Sequence, residues 1–245
     1  MKIAFLGATK GMGRALARQM AERGDALFLL GRDAEDLDRS ARDLETRAGK
    51  GSVGEARCDL EEPATFGPAL AAAEVALGGT DVVVVTAGLF ATQDQLEADP
   101  VFLARLLQAN FVNTVLFCEV ARKQLLARGG GTLCVFSSVA GERGRKPVVL
   151  YGAAKAGLSR YLEGLDHRYR AKGLRVVCVK PGFVRTGMTA GLPEPPFAGN
   201  PEDVARVVLR AIDRGTPVVY APGIWRWIML VIRLLPRAVM RKVGF

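Results

Sequence analysis

Short apolar runs alternate along this chain with longer stretches in which apolar residues return every three or four positions. The runs are KIAFL from Lys2, ALFLL from Ala26, SVGEARC from Ser52, DVVVV from Asp81, TLCVFS from Thr132, LRVVCV from Leu174 and PVVY from Pro217. Such short runs, rich in β-branched residues, predict strands, and one without polar alternation, Val82 to Val85, predicts a strand buried on both faces. The stretches between them have helical period; in the first, Met12, Leu16 and Met20 share the face turned to the sheet. Strand and helix in alternation predict an α/β fold: a single doubly wound domain, a seven-stranded parallel sheet with helices on both faces. One segment breaks the rhythm, PGFVRTGMTAGLPEPPFAGN at 181–200, ahead of a helix from about Pro201. An irregular connection of that length inside a compact domain is usually functional, so about 182–200 is expected to be a substrate loop or lid.

Composition narrows the class. At 245 residues with 49% hydrophobic content, the chain has ample material for a core and is too apolar for disorder. Cys58, Cys118, Cys134 and Cys178 are widely spaced in apolar surroundings, and His167 is the only histidine. That excludes a zinc or disulfide framework and suits a reducing cytoplasm, with the cysteines acting as small apolar fillers and His167 as a surface or packing residue. The opening apolar run is too short for a signal peptide. The net charge of +9 is localised: Arg226, Arg233, Arg237, Arg241 and Lys242 follow Gly215, after which there is no acidic residue. No nucleic-acid partner is expected.

The first strand runs into GATKGMGRALARQMAERG, a glycine-rich turn at the head of an amphipathic helix. Free backbone N–H groups at a helix N-terminus attract phosphate, so Gly7, Gly11 and Gly13, in the pattern G-x-x-x-G-x-G, predict a nucleotide site. The second strand ends in LLGRD. An acidic residue there favours the ribose hydroxyl of NAD, and an arginine accommodates the 2′-phosphate of NADP. Arg32, with Lys10 in the turn, argues for NADP(H) over NAD(H); Asp33 either contacts the ribose or caps the next helix.

The chemistry lies further along. Tyr151 and Lys155 are one helical turn apart in YGAAKAGLSRYL, so they point into a common site, and the small residues around them allow close approach. Ser138 closes the fifth strand at the sheet edge where ligands bind. Taken singly, each has a plain alternative: a solvated lysine, a half-buried tyrosine, a turn-forming serine.

Together these motifs resemble the classical branch of the short-chain dehydrogenase/reductase family, over nearly the whole chain. The likeness rests on Gly7, Gly11 and Gly13, Asp59 in CDL, TAG at 86–88, Asn110, Ser138, Tyr151, Lys155 and PGFVRT at 181–186, in order and spacing. The resemblance implies a Rossmann-type domain over 1–222 and an amphipathic basic extension over 223–245. It implies that Tyr151 is the proton donor in carbonyl reduction, that Ser138 holds the substrate oxygen, and that Lys155 holds the nicotinamide ribose and lowers the tyrosine pKa. Asn110 would anchor a water relaying protons to Lys155. Asp59 would receive the adenine amino group, and the segment from Pro181 to Thr186 would cover the nicotinamide. Thr9, Lys10, Met12, Arg32, Leu60, Ala87, Gly88, Gly182 and Val184 complete the implied cofactor contacts. Bringing a phenol from about 10 to about 7 needs roughly 4 kcal/mol of phenolate stabilisation, for which a lysine cation has the right sign. Thr86 stands where the family usually has asparagine, and Ala154 where serine is common; a small change in sheet bonding is expected at the first and none at the second. The family pairs the helices around Asn110 and Tyr151 across a two-fold axis, which implies a homodimer or homotetramer.

The tail PGIWRWIMLVIRLLPRAVMRKVGF has no apolar run long enough to span a bilayer. Arg226, Arg233, Arg237 and Arg241 fall in one sector of an ideal helix, which Pro236 would interrupt or restart. Residues 224–245 therefore suit either a peripheral membrane contact or packing on the substrate pocket or a neighbouring subunit. The tail also resembles that of reductases acting on polyprenyl-phosphate-linked keto sugars, which implies a hydrophobic or lipid-linked carbonyl substrate lined by Phe183, Met188, Leu192 and Phe197. The expected function is NADPH-dependent interconversion of a small-molecule carbonyl and its alcohol. The alternatives are a membrane-docking nucleotide-binding scaffold or sensor, and an epimerase or dehydratase of the same wider family.

Overall fold

Seven parallel strands form one sheet in the computed structural model, which describes residues 1–48 and 53–244. They are β1 (Lys2–Leu6), β2 (Ala26–Gly31), β3 (Gly54–Arg57), β4 (Val82–Val85), β5 (Gly131–Phe136), β6 (Leu174–Pro181) and β7 (Val218–Ala221), in the spatial order β3-β2-β1-β4-β5-β6-β7. Every expected run supplies one; Ser52, at the head of the third, lies outside the described residues. The helices are α1 (Gly11–Glu22), α2 (Ala34–Ala48), α3 (Phe66–Leu77), α4 (Gln93–Ala98), α5 (Pro100–Leu107), α6 (Thr114–Ala127), α7 (Val149–Tyr169), α8 (Pro201–Arg214), α9 (Trp225–Leu234) and α10 (Arg237–Met240).

Successive strand side chains point to opposite faces, so a sheet covered on both sides must be apolar throughout. Phe5, Val82 and Val84 pack with Leu16 and Met20 of α1, Leu37 of α2 and Val208 of α8. Leu6, Val83 and Val85 go to the other side, with Phe66 of α3, Phe117 of α6 and Leu158 of α7. There the rings of Phe66 and Phe117 meet edge to face at 5.4 Å. The helical stretch Pro100–Ala127 is long and apolar enough to cross a membrane. Its Leu106, Phe117, Cys118, Ala121 and Leu125 are nevertheless buried in this protein's own interior.

The strand order reverses between β1 and β4, and the crevice beyond their carboxyl ends is the usual ligand site of an open α/β sheet. Gly7, Thr86, Ser137 and Gly182 follow β1, β4, β5 and β6 there.

The tail packs back on the body. Met229 is fully buried, and Trp225 and Ile232 nearly so, against Val139, Phe183 and Tyr220. Leu235 adopts an extended conformation ahead of Pro236, which ends α9. The interruption expected at Pro236 is what the structure has: Arg226 and Arg233 belong to α9, whereas Arg237 and Arg241 belong to α10 and its end. Phe245 lies outside the described residues.

Candidate active site

The glycine turn is built by close approach. Gly7 has φ +96°, and a Cβ on it would lie 2.5 Å from the Ala87 amide nitrogen; a Cβ on Gly13 would lie 2.1 Å from the Gly7 carbonyl oxygen. Thr86 closes the junction, donating from Oγ1 to the Gly7 carbonyl at 2.8 Å and from its amide to Leu6 at 2.9 Å. A threonine hydroxyl thus ties β1 to β4, and the expected change in bonding is a local one.

A cleft of about 550 Å³ opens over this turn. Thr9, Lys10, Gly11 and Met12 line its floor, Arg32, Asp59 and Leu60 one flank, and Ala87, Gly88 and Thr186 the other. The N–H donors at the head of α1, the bare glycine backbone and an accepting carboxylate at Asp59 are the set a dinucleotide requires, so these residues fit a nicotinamide cofactor. Asp33 does not line the cleft. Its Oδ1 accepts the Asp36 amide at 2.9 Å, which makes it the cap of α2. Lys10 pairs with Asp36 at 2.6 Å and Arg32 with Glu61 at 3.3 Å, both cations remaining largely exposed. Lys10 holds the Asp36 carboxyl below its usual range, and Arg105 does the same for Glu61.

A second cavity, about 820 Å³, continues from the first. Met12, Gly88 and Thr186 border both, while Pro181, Gly182 and Val184, expected over the nicotinamide, line the second. Ser138, Tyr151 and Lys155 stand in its wall. Ser138 lies two residues beyond β5 in extended conformation, and its Oγ accepts the Ala140 amide at 3.0 Å, which leaves the hydroxyl proton for another oxygen. Tyr151 rests edge to face on Phe90 at 5.1 Å. Lys155 is 5% exposed, donates to the Phe136 carbonyl at 3.0 Å, and has its ammonium 5.8 Å from the centre of the Tyr151 ring.

The electrostatics correct one expectation. Burial pushes the Tyr151 phenol up to about 12, with the Ser138 hydroxyl pulling the other way. Burial also draws Lys155 down to about 8. The lowering expected from Lys155 is therefore not what governs Tyr151: desolvation of the phenolate is the larger influence and the Ser138 hydrogen bond the opposing one.

Asn110 lies within a π turn, Gln108–Asn113, between α5 and α6, and it lines neither cavity. Its amide is engaged twice by Leu89, donating to the carbonyl and accepting from the amide, each at 2.7 Å. This clamp holds the chain after β4 against the site. Asn113, donating to the Leu60 carbonyl at 2.5 Å, ties the π turn to the chain after β3. His167 is exposed, and among the described residues no cluster of metal-binding side chains occurs. The four cysteines are free and buried, and burial pushes the Cys58 thiol up to about 12.

Several contributors escape the motif reading. Ser137 donates to the Lys155 carbonyl at 2.9 Å and lies 2.7 Å from the Ser159 hydroxyl, so a serine pair fastens α7 to the end of β5. The serine doublet at 137–138 and a serine four residues after Lys155 were the available signals. Trp225 covers Gly182, where a Cβ would lie 2.1 Å from the indole nitrogen, and it donates to the Phe197 carbonyl at 3.3 Å. Trp225, Ile228 and Ile232 thereby wall the second cavity together with Phe183, Met188, Leu192 and Phe197 of the loop. The loop itself is pinned by a bridge from Val184 to Gly199 and by Arg185, which binds Glu194 and the Asn200 side chain. Arg145 also lines this cavity, and no sequence signal marks it.

With this geometry in place, the comparisons are specific. A family model described as short chain dehydrogenase matches residues 2–196. An uncharacterised oxidoreductase of Mycobacterium tuberculosis is 32% identical over 241 residues, covering 98% of this chain and 96% of that protein. Carbonyl reductase family member 4 of Xenopus tropicalis is 28% identical over 218 residues, with coverage of 86% and 90%. The crystal structure of levodione reductase superposes with a TM-score of 0.81 over 90% of this chain and 95% of that one, at 23% identity, a likeness of fold. None of these three relatives lends support to the tail's likeness to lipid-linked keto-sugar reductases.

Proposed function

We propose that this chain, which belongs to the short-chain dehydrogenase/reductase family, is an NADPH-dependent reductase of a ketone or aldehyde borne on a largely apolar molecule. Membership makes it an oxidoreductase acting on alcohol and carbonyl groups with a nicotinamide dinucleotide. The observation that carries the finer reading is the placement of Ser138, Tyr151 and Lys155 in the wall of an apolar cavity continuous with the glycine cleft.

The reduced nicotinamide, when bound, supplies a hydride to the carbonyl carbon. Tyr151 gives its phenolic proton to the carbonyl oxygen as the C=O π pair moves onto that oxygen, and Ser138 donates a hydrogen bond to the same atom. Lys155 orients the ribose and returns a proton toward the phenolate. Because Asn110 is clamped to Leu89, the main chain of the π turn is the natural anchor for a relay water. A phenol at about 12 stays protonated through the neutral range, which suits the reductive direction.

Arg32 supports NADPH: it lines the cleft, is largely exposed, and is held only at 3.3 Å by Glu61, whereas the rival acid Asp33 is committed to capping α2. Val101 on α5, Phe111 and Val112 in the π turn, Leu116 on α6 and Val149 on α7 are exposed apolar residues, which supports pairing of two copies through this region into a dimer or tetramer. Four buried free thiols support a cytoplasmic setting. A peripheral membrane contact would use the outer face of α9, where Trp227, Leu230 and Leu234 are exposed near Arg226. A scaffold or sensor has no use for the buried proton-donating set. An epimerase or dehydratase usually has a second substrate domain, and the described residues form a single sheet with its helices and tail.

Absorbance at the NADPH band, followed over a panel of apolar ketones and aldehydes with NADPH and NADH in parallel, tests the reading. Turnover with NADPH in preference to NADH is the expected result; no oxidation of either cofactor by any carbonyl would overturn it.

A further inference from the structure

Three basic residues lie in the segment ERGRK just ahead of α7, and they differ in one respect. Arg143 donates to the Leu235 carbonyl at 2.9 Å and Lys146 to the Arg241 carbonyl at 2.7 Å, so both serve to hold the tail. The side chain of Arg145, between them, has no hydrogen-bond or ion-pair partner among the described residues, while its backbone carbonyl accepts the Val148 amide. Its Nε is sealed from water, the one buried side-chain nitrogen or oxygen among the described residues left without a partner. Burial, with nothing opposing it, pulls the guanidinium below its ordinary range.

Arg145 lines the second cavity, whose wall contains two cations, Arg145 and Lys155, and no carboxylate. Lys155 is engaged by the Phe136 carbonyl. Glu142, the acid nearest in sequence, is already held by Lys180, Tyr220 and Arg233. Arg145 is half-buried, and leaving such a charge unpaired with its Nε sealed is costly; proteins tolerate such groups chiefly where a ligand completes them. A guanidinium also selects for the ligand's chemistry, since its planar fork matches a carboxylate or phosphate.

We propose that Arg145 is a substrate-binding residue, and that the molecule reduced beside Tyr151 is an amphiphile with one anionic group, carboxylate or phosphate, paired to Arg145 while its hydrocarbon body lies against Phe183, Met188, Trp225 and Ile228. This rests on the reductase reading above and narrows its substrate class. Position in the chain fits the role: Arg145 is followed by a single tight turn, Lys146–Val148, and then by α7 with Tyr151 in its first turn, so the anion anchor and the proton donor are held by one short stretch of backbone.

The test is binding and kinetics on the full chain with NADP⁺ or NADPH. Quenching of tryptophan fluorescence in a Trp227→Phe background, which leaves Trp225 in the cavity wall as the sole tryptophan, by decanoate, decyl phosphate and decanol reads binding without turnover. We expect the wild type to favour an anion over decanol by about 10- to 100-fold, the preference to vanish in Arg145→Met, and Arg145→Lys to keep most of it. Which anion binds more tightly tells carboxylate from phosphate. In kinetics, the ratio of kcat/KM for 9-oxodecanoate to that for its methyl ester should fall by the same factor in Arg145→Met. Equal affinity for decanoate, decyl phosphate and decanol in the wild type, or a preference that survives Arg145→Met, overturns the anion site. Anion-selective binding with no turnover of acid or ester would instead sink the reductase reading and leave the anion site standing.

Discussion

The two halves of the site are made of different materials. The cofactor half is mostly backbone: bare glycines, the head of α1, and charges already matched, Lys10 with Asp36 and Arg32 with Glu61. The substrate half is mostly side chain, an apolar chamber closed by a loop and by the C-terminal helix, and its polar groups are few. A backbone cradle recognises what all nicotinamide dinucleotides share, the pyrophosphate and ribose. A side-chain chamber recognises what distinguishes one carbonyl compound from another. The first half is therefore the one that a family motif describes, and the second is where this protein's own specificity is written.

That contrast can be broken at points of decreasing effect. Tyr151→Phe removes the proposed proton donor and keeps the ring on Phe90, so turnover should fall about 10²- to 10⁴-fold while NADPH still binds. Fluorescence titration of NADPH beside steady-state rates separates the two effects, and unchanged turnover would remove Tyr151 from the mechanism. Next, Met229→Ala empties a fully buried position under α9 and should cost about 2 to 4 kcal/mol in urea unfolding. It should raise KM for an apolar carbonyl with little effect on NADPH affinity, because the tail walls only the substrate half. An equal loss of both affinities would deny that the halves are separable.

Lys155→Met tests the buried cation. Its folded value of about 8 lies below the ordinary 10.5, so the unfolded chain binds more protons between those values and stability rises with pH through that window. The cost of burying the charge is fully present below about pH 8 and gone above about 10.5. At pH 7 the cofactor-free variant should accordingly be more stable by about 1 to 2 kcal/mol while losing most activity, a result that calorimetry and rate measurement would check together. In the wild type, reduction should weaken above about pH 8 as the ammonium is lost. The smallest change is expected from Arg32→Ala: the NADPH-to-NADH ratio of kcat/KM should drop about tenfold, roughly 1.4 kcal/mol, with no effect on the carbonyl preference.

Glu142 shows how the tail is bound to this scheme. Burial alone would raise its carboxyl, but Lys180, Tyr220 and Arg233 together hold it below the usual range. The anion is thus a contributor to stability above the ordinary carboxylate pKa, and that contribution fades as pH falls through the lowered value. Since Arg233 belongs to α9, acid should loosen the tail, and with it the substrate chamber, before it disturbs the glycine turn.

The strands were legible because a strand covered on both faces must be apolar at every position, which leaves a pattern no other element shares in so short a run. Gly7 and Gly13 were legible because contacts of 2.5 Å or less exclude any side chain. Arg145 was not, since an unpaired cation looks the same in sequence as the paired ones, Arg143 and Lys146, on either side of it. Asn110 was legible as a position but not as a contact: only the fold shows its amide closed on Leu89. The tail was legible as helical segments broken at Pro236 with basic residues along one sector, and local pattern left open whether it would face a membrane, the pocket or a neighbouring subunit.

By itself the sequence determined the doubly wound sheet, the glycine turn beneath a dinucleotide, and the spacing that brings Ser138, Tyr151 and Lys155 together, because each depends on local periodicity and on which residues fit a backbone conformation. Tertiary structure alone decided that α9 closes the substrate chamber, that burial rather than Lys155 governs the Tyr151 phenol, and that Arg145 stands without a partner. Those properties are sums over neighbours distant in the chain: desolvation and pairing depend on what surrounds a group, and folding is what assembles the surroundings.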